Sequence, residues 1–233
     1  MKTSLVIPIY NEELNIKILF NEILDTGIYS LVDEIIYVDD YSSDNSFDIL
    51  KKIEKKYNKV TILRHEVKRG QSMAIWTAAN FTNNEVIVTI DGDGQNNPKD
   101  IKKLLEMYIS DNEIFLVGGI RKKRKDSFIK IISSIIANKF RILILSDDCI
   151  DTGCSLKVFN KSVFLSFPFF SGIHRFLPAL FKGYGKKTFF INVDHRHRIY
   201  GQTKYGTIGR LIAGIKDLIK VVKIIRKFKS DHD

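Results

Sequence analysis

Apolar and polar positions along the first half of the chain follow a regular alternation of strand-like and helix-like segments. Short runs rich in Val and Ile end at polar residues, and between them apolar residues recur every three or four positions. Apolar strands that alternate with helices are typical of a mostly parallel sheet with helices on both faces, so the expected fold class is α/β. The predicted strands are residues 4–8, 34–38, 60–63 and 85–90, and the predicted helices are residues 12–24, 43–57 and 71–80.

The second half of the chain is less regular, and two of its segments are both amphipathic and basic. Pro98 suits the first turn of a helix, residues 115–120 form a predicted strand, and residues 151–159 and 188–193 have an extended pattern. An apolar stripe lies beside lysines and arginines in each of two predicted helices. Such a helix lies in the head-group region of a membrane, or it packs on a core with its basic face in solvent, and both explanations stay open. These two helices are residues 128–145 and 208–228.

Length and composition indicate one globular domain with an affinity for anions. The chain has 233 residues, of which 44% are apolar and 27% are charged, and its formal net charge is +10. Such a charge attracts nucleic acid, anionic lipid or phosphorylated substrates. The two cysteines, Cys149 and Cys154, exclude a disulfide scaffold and suit a reducing compartment. Because no uncharged apolar stretch reaches about 18 residues, no spanning helix is expected, and the predicted location is the cytoplasm or the inner face of the membrane.

The segment with the clearest chemistry directly follows the fourth predicted strand. It reads Asp91-Gly92-Asp93-Gly94-Gln95, and its turn lets two carboxylates two residues apart face one ion. Oxygen ligands suit Mg²⁺ or Mn²⁺, which commonly link protein carboxylates to substrate phosphates. A pattern this short is more often an Asp-Gly turn with solvated acids, so the case depends on other segments. Those segments end the other strands, where ligands bind in such sheets: residues 10–12, 39–40 and 69–70.

Together these segments resemble a known family of enzymes. Residues 8–12, 38–44, 69–74 and 91–95 resemble, in order and spacing, the nucleotide-binding segments of family-2 glycosyltransferases. The resemblance implies the A-type glycosyltransferase fold, a Rossmann-like, mostly parallel sheet flanked by helices. Later segments at 151–157, 174–180 and 197–206 look like the polyprenyl-phosphate (dolichol-phosphate mannosyltransferase-like) branch. The resemblance extends from about residue 3 to about residue 225.

The resemblance implies a role for each matching residue in binding a UDP- or GDP-sugar. Asp39 would accept a hydrogen bond from the base, with Asp40 beside it. Arg198 and Lys204 would reach the donor's phosphates, which need cations besides the metal. The implied donor-binding residues are Pro8, Tyr10, Glu12, Asp39, Asp40, Gly70, Asp91, Arg198 and Lys204. The implied metal ligands are Asp91, Asp93 and Gln95, and the implied catalytic residues are Asp91, Asp93 and Arg198.

The acceptor implied by the resemblance is a polyprenyl phosphate at the cytosolic membrane face. Its phosphate oxygen is ionised at neutral pH, so an inverting transfer needs no general base. Arg121, Arg124 and Arg141 are the candidates for seating this phosphate. The alternative is a family member that acts on a sugar hydroxyl in polysaccharide or lipopolysaccharide synthesis, for which Asp151 would be the base.

The whole chain, 1–233, is expected to be a single glycosyltransferase domain of the cell envelope. Residues 1–120 would form its nucleotide-sugar-binding half, 121–207 its acceptor half, and 208–229 a basic amphipathic helix. Peripheral contact with the membrane surface is expected, and stable anchoring would then be peripheral or supplied by a membrane-protein partner.

Two other classes of protein fit the sequence poorly. A nucleic-acid-binding protein would interleave basic residues with exposed aromatics, whereas the basic clusters here lie on amphipathic helices and near the acidic segment, so no nucleic acid is expected as a partner. A dinucleotide-binding oxidoreductase would carry Gly-x-Gly-x-x-Gly after the first strand, which is absent. Among the histidines, His195 and His197 favour a structural or phosphate-side role over metal ligation, and His65 and His174 are expected to be packing residues.

Overall fold

The fold is an α/β sheet with helices on both faces. The structure, a computed structural model, describes residues 1–121, 141–142, 144–145, 147–198, 200 and 207–231. The strands are β1 (Thr3–Ile9), β2 (Glu34–Asp39), β3 (Val60–Arg64), β4 (Val86–Thr89), β5 (Ile114–Arg121), β6 (Lys157–Asn160) and β7 (Lys187–Val193). The helices are α1 (Glu13–Asp25), α2 (Ile28–Leu31), α3 (Ser46–Lys56), α4 (Gln71–Phe81), α5 (Asp100–Ile109), α6 (Lys161–Ser166), α7 (Leu177–Gly183) and α8 (Thr207–Ser230).

The strands form one sheet in the order β3-β2-β1-β4-β6-β5-β7. Strands β1 to β4 pair in parallel, and β5 pairs in parallel with β7. Strand β6 lies between these two groups and is antiparallel to β4 and to β5. The prediction of a mostly parallel sheet is therefore confirmed, and the antiparallel β6 is a feature that the sequence pattern did not reveal.

Alternate residues of the buried strands supply two separate cores. Leu5 and Ile7 of β1 pack on one face with α1, α3 and α5, whereas Val6 packs on the other face with α4 and α7. Because both faces of the central strands are covered, the strands are apolar throughout rather than alternating. The carboxyl ends of β1, β2 and β4 are thereby held at one edge of the sheet.

Helix α8 packs its apolar stripe on the protein. Val221 is fully buried, Ile225 lies against Gly183, and the ring of Phe228 stacks on Tyr184 with centroids 3.7 Å apart. The lysines of the helix, by contrast, are exposed. For the described side chains, this arrangement agrees with a core-packed helix that has a basic face in solvent. Those exposed lysines are Lys216, Lys220, Lys223, Lys227 and Lys229.

The second basic helix, predicted at 128–145, lies mostly outside the described residues, of which 141–142 and 144–145 are helical. Across the ranges that the structure describes, no helix combines the length and the apolar character that a membrane span requires.

Candidate functional site

Most of the predicted nucleotide and metal residues meet at one cavity of about 300 Å³ at the carboxyl edge of the sheet. The ends of β1, β2 and β4 and the start of α4 supply most of its wall. Asp39 does not line it. The predicted residues that do are Pro8, Tyr10, Glu12, Asp40, Gly70, Asp91, Asp93, Gln95 and Arg198, and the cavity is completed by Ile9, Lys68, Gln71 and Gly92.

The loop after β4 is shaped by its glycines. A Cβ atom at Gly92 would lie 2.3 Å from Cδ1 of Ile9 and 3.1 Å from the carbonyl oxygen of Pro8, so a larger residue would have to displace the Ile9 side chain, and the position favours glycine. Gly94 has a φ of +72°, which also favours glycine. The loop is therefore pressed against the end of β1, which places Asp91 and Asp93 beside the residues after that strand.

Asp91 is the most electrostatically perturbed carboxyl group of this cavity. Its Oδ1 accepts a hydrogen bond of 2.7 Å from Nε2 of Gln71. Burial, and after it the charge of Asp93, raises the pKa of Asp91 to about 6 against the opposing effects of Ser155, Lys157 and Gln71. Two carboxylates that repel each other in a desolvated cavity are stabilised by a divalent cation.

The oxygen atoms of this loop fit a hard divalent cation that is completed by substrate. Oδ1 of Asp93 accepts from the backbone N–H of Gln95, at 3.1 Å, and the side-chain amide nitrogen of Gln95 donates to the carbonyl oxygen of Arg196, at 3.4 Å. Among the described residues, no group of three or more His, Cys, Asp and Glu side chains could hold an ion. The chain thus offers two carboxylates and one amide oxygen, which suits Mg²⁺ or Mn²⁺ with phosphates as further ligands.

Arg198 reaches the cavity because the preceding segment pairs with the loop after β4. Asn96 and His195 form an antiparallel bridge, and the N–H of Arg196 donates to the carbonyl oxygen of Gln95, at 2.8 Å. Nη2 of Arg198 then lies 2.7 Å from Oε1 of Glu12 and 3.4 Å from Oδ2 of Asp93. A guanidinium so placed can bind a phosphate of the donor. Lys204 lies outside the described residues.

The carboxylate of Asp40 binds the segment that precedes α4. Its Oδ1 accepts from the N–H of Arg69 and its Oδ2 from the N–H of Gly70, each at 2.7 Å. Nδ1 of His65 lies 2.8 Å from Oδ1, and the other ring nitrogen of His65 lies 3.0 Å from the hydroxyl of Thr77. His65 therefore has a structural position, and Asp40 fixes Gly70, whose φ is +85°, at the cavity wall.

Asp39 is fully buried beneath this edge. Its Oδ1 accepts from the N–H of Ser42, at 3.3 Å, and its Oδ2 lies 3.1 Å from Nε of the half-exposed Arg64. Contact between Asp39 and a donor base stays a prediction.

The arginines predicted to seat the acceptor lie in different surroundings. Arg121 donates from Nε and Nη2 to the two carboxylate oxygens of Asp151, each at 2.7 Å. Arg141 is buried and bonded to the carboxylate of Asp147 and the carbonyl oxygen of Cys149. Arg124 lies outside the described residues. Acceptor binding by these three arginines stays a prediction.

Sequence reasoning missed three polar residues at or near the cavity. Nζ of Lys68 lies 3.7 Å from the ring centroid of Tyr10, Gln71 holds Asp91, and the buried Lys157 stands close enough to lower the pKa of Asp91. Lys68 and Gln71 flank the Arg69–Gly70 pair, so their position in the sequence was a usable signal. Lys157 gave no such signal, because only the antiparallel placement of β6 brings it near β4.

The comparisons with solved structures show that the fold is that of the A-type glycosyltransferases. Glucosyl-3-phosphoglycerate synthase from Mycobacterium tuberculosis in complex with UDP matches 96% of this chain and 80% of its own, with a TM-score of 0.70 and 21% identity. The complex with Mg²⁺ and UDP matches 95% of this chain and 78% of its own, with a TM-score of 0.68 and 18% identity. At such identities the likeness shows the fold alone.

The sequence comparisons then give the family. The model of Glycosyl transferase family 2 matches residues 4–166, so the chain belongs to that family. Dodecaprenyl-phosphate galacturonate synthase of Rhizobium johnstonii is 32% identical over 238 residues, which cover 100% of this chain and 70% of the relative. Undecaprenyl-phosphate 4-deoxy-4-formamido-L-arabinose transferase of Edwardsiella ictaluri is 31% identical over 218 residues, which cover 93% of this chain and 66% of the relative. The chain thus spans about two thirds of the length of these curated relatives.

Proposed function

We propose that this protein transfers a sugar from a UDP- or GDP-sugar to a polyprenyl phosphate, with inversion and with the help of Mg²⁺ or Mn²⁺. The observation that carries the proposal is the meeting of Asp91, Asp93 and Arg198 at one cavity. Two relatives named for transfer to or synthesis on dodecaprenyl or undecaprenyl phosphate support the acceptor class.

Asp91, Asp93 and Gln95 would hold the ion, and Arg198 would bind the donor's diphosphate beside it. When bound, the ion would neutralise negative charge on the diphosphate leaving group. The guanidinium of Arg198 adds a second cation on the same side of the cavity. Pro8 and Tyr10 form the wall against which the nucleoside would lie, with Lys68 above the ring of Tyr10.

The surroundings of Asp151 favour a phosphate acceptor over a sugar hydroxyl. Both oxygens of Asp151 accept from the guanidinium of Arg121, and its side chain is only 7% exposed. A general base needs an oxygen within reach of the hydroxyl proton, and this pairing occupies both. A phosphate oxygen arrives ionised, so positioning and charge neutralisation are enough to promote its attack. The alternative reaction at a sugar hydroxyl is therefore less well supported.

The acceptor would be reached from the membrane surface. The exposed lysines of α8 form a basic face that attracts anionic head groups, although the apolar stripe of the helix is already packed on the protein. We expect the protein to bind vesicles that contain phosphatidylglycerol at low salt and to dissociate at high salt. Failure to bind them at low salt would contradict peripheral membrane binding and leave a membrane-protein partner as the remaining route. Residues 1–120 would supply most of the donor site, with Arg198 added at the diphosphate, and the acceptor would bind to other residues of 121–207.

A donor screen tests the proposal directly. The purified protein is incubated with undecaprenyl phosphate in detergent, Mg²⁺ or Mn²⁺ and a panel of UDP- and GDP-sugars, and the lipid product and released nucleotide are measured. Lipid-linked sugar that requires the ion and is lost in Asp93→Asn is the expected result. Transfer to a soluble sugar, with none to the lipid, would instead establish the alternative reaction. Asp151→Asn should in that case abolish transfer and leave donor binding intact.

A further inference from the structure

A turn that was expected only to pack is held in place on two sides near the cavity. It begins at Gly172 and continues as the short 3₁₀ helix Ile173–Arg175. The N–H of Gly172 donates to the hydroxyl of Ser72, at 2.8 Å, and Nη2 of Arg175 donates to Asp217 of α8, at 2.7 Å. Gly172 has a φ of +101°, and a Cβ there would lie 2.4 Å from Oδ2 of Asp217, so this position strongly favours glycine. The turn thus has a fixed place between α4 and α8.

The hydrogen bonds of Ser72 determine which nitrogen of His174 carries a proton. The Oγ atom of Ser72 lies 2.6 Å from Nδ1 of His174 and already accepts from Gly172. Within the described part of the chain, Nδ1 is the only acceptor that is bonded to this hydroxyl. A hydroxyl can accept twice, so the Ser72 proton finds an acceptor here only if Ser72 donates to Nδ1. This arrangement satisfies both groups and leaves the proton of the neutral ring on Nε2.

The ring of His174 is neutral as well as oriented. Burial lowers its pKa to about 3, and the charges of Lys157 and Arg175 act in the same direction. The side chain is nevertheless half-buried rather than fully enclosed, and no described residue accepts a hydrogen bond from Nε2. His174 thus holds a fixed place through Nδ1, while Nε2 has no partner among the described residues, so the ring can pack and still bind a ligand.

The position of the His174 ring relative to Asp91 follows from the order of the strands. Ser72 directly follows Gln71, whose side chain is bonded to Asp91. Lys157 of β6 pairs in register with Thr89 of β4, and its charge lowers the pKa of both Asp91 and His174, so both side chains lie within range of this buried cation. In the sheet, β2 and β1 lie on one side of β4, and β6 lies on the other.

A nucleotide-sugar donor bound at this edge would extend from β2 across β1 and β4 toward β6. Its nucleoside would lie at the ends of β1 and β2, and its diphosphate at Asp91 and Asp93 after β4. The sugar would then lie toward β6, which is the side of Lys157 and His174. We propose that Nε2–H of His174 donates a hydrogen bond to a hydroxyl oxygen of the transferred sugar, with Ser72 as its positioning residue. This inference rests on the proposed function, because it assumes a nucleotide-sugar donor.

The test separates the sugar from the rest of the donor. Binding of the free nucleoside diphosphate and of the nucleotide sugar is measured by calorimetry with Mg²⁺, using the best donor of the screen. For His174→Leu we expect unchanged affinity for the diphosphate and roughly threefold to tenfold weaker binding of the nucleotide sugar, the loss of one neutral hydrogen bond. His174→Gln keeps an N–H donor and should bind close to wild type. Ser72→Ala leaves the ring unoriented and should weaken nucleotide-sugar binding less than His174→Leu.

The outcomes distinguish this inference from the proposed function. A wild-type protein that binds no nucleotide sugar would overturn the proposed function itself. If the wild type binds and His174→Leu binds equally well, the inference is wrong. Equally weakened binding of the diphosphate and of the nucleotide sugar would assign His174 a structural role. A change confined to the KM of the lipid acceptor in the transfer assay would place His174 at the acceptor. Either result would also overturn the inference, and recovery in His174→Gln guards against loss of folding as the cause.

Discussion

The two acidic strand ends of the sheet have nearly the same sequence pattern and different surroundings. Asp40, after β2, gives both oxygens to backbone N–H groups of residues 69 and 70, and His65 contacts one of them as well. Asp91, after β4, accepts from the side chain of Gln71 and faces the charge of Asp93. The carboxylate of Asp40 is therefore stabilised by groups of the chain itself, whereas that of Asp91 can bind a cation. An acidic residue at a strand end is therefore not by itself a metal ligand, because its role depends on which donors the fold brings to it.

The largest effect is expected for Asp93→Asn and, in a separate variant, for Asp91→Asn. Each removes half of the carboxylate pair, so transfer should fall by about a hundredfold or more, as expected when charge stabilisation of a leaving group is lost. The thermal stability of the metal-free protein should be unchanged or higher, because a repulsion between desolvated charges is removed. Initial rates in the lipid assay and the Tm of each variant measure the two effects.

The exposed Asp25 at the end of α1 provides the matched control, and Asp25→Asn should leave the rate of transfer unchanged. Transfer at the wild-type rate by Asp93→Asn would remove the metal site from the proposed function.

Much of the fold and of the donor side of the site could be predicted because the signals are local. Each of β1, β2 and β4 is a short apolar run that ends at polar residues, and parallel strands bring those ends to one edge. The loop from Asp91 to Gln95 carries its own glycines, so its shape is contained in the sequence beside it. Family resemblance then extended this local information to Arg198.

Other parts depend on contacts between residues far apart in the chain. The difference between Asp40 and Asp91 arises because the backbone at residues 69 and 70 reaches the first and a side chain reaches the second. The bond between Ser72 and His174 spans 102 positions, and neither residue has a neighbour in the sequence that indicates the other. The antiparallel β6, which places Lys157 under the cavity, is likewise decided by its partners β4 and β5. No periodicity in the sequence contains this information.

A second test addresses the other acidic strand end through Asp40→Asn. The amide that replaces the carboxylate has one oxygen for two backbone donors, so at least one of these partly buried N–H groups loses its acceptor. We expect a loss of about 2 kcal/mol in the free energy of unfolding, or roughly 4–8 °C in Tm for a chain of this size. Thermal unfolding followed by circular dichroism measures this loss, with Asp25→Asn as the reference. A variant as stable as the wild type would mean that the Asp40 contacts contribute little, and the contrast between the two strand ends would then be wrong.

The smallest expected effect concerns the pH at which the carboxyl group of Asp91, after β4, ionises and can bind a metal ion. Because the pKa of Asp91 is raised to about 6, roughly one molecule in ten carries the carboxylate at pH 5, whereas nearly all do at pH 7.5. A metal ion needs the ionised form, so binding should weaken as the pH falls, by about tenfold between these values. Titration of the protein with Mn²⁺ alone, followed by electron paramagnetic resonance of the free ion, gives the two affinities.

A change at Lys157, the buried cation of β6, should shift the pH dependence of Mn²⁺ binding. Lys157 lowers the pKa of Asp91, so Lys157→Met should shift the midpoint of Mn²⁺ binding to higher pH. If Mn²⁺ binds equally well at pH 5 and pH 7.5, the two carboxylates do not share the desolvated site described here. The cation would then be bound mainly by the phosphates of the donor rather than by the end of β4.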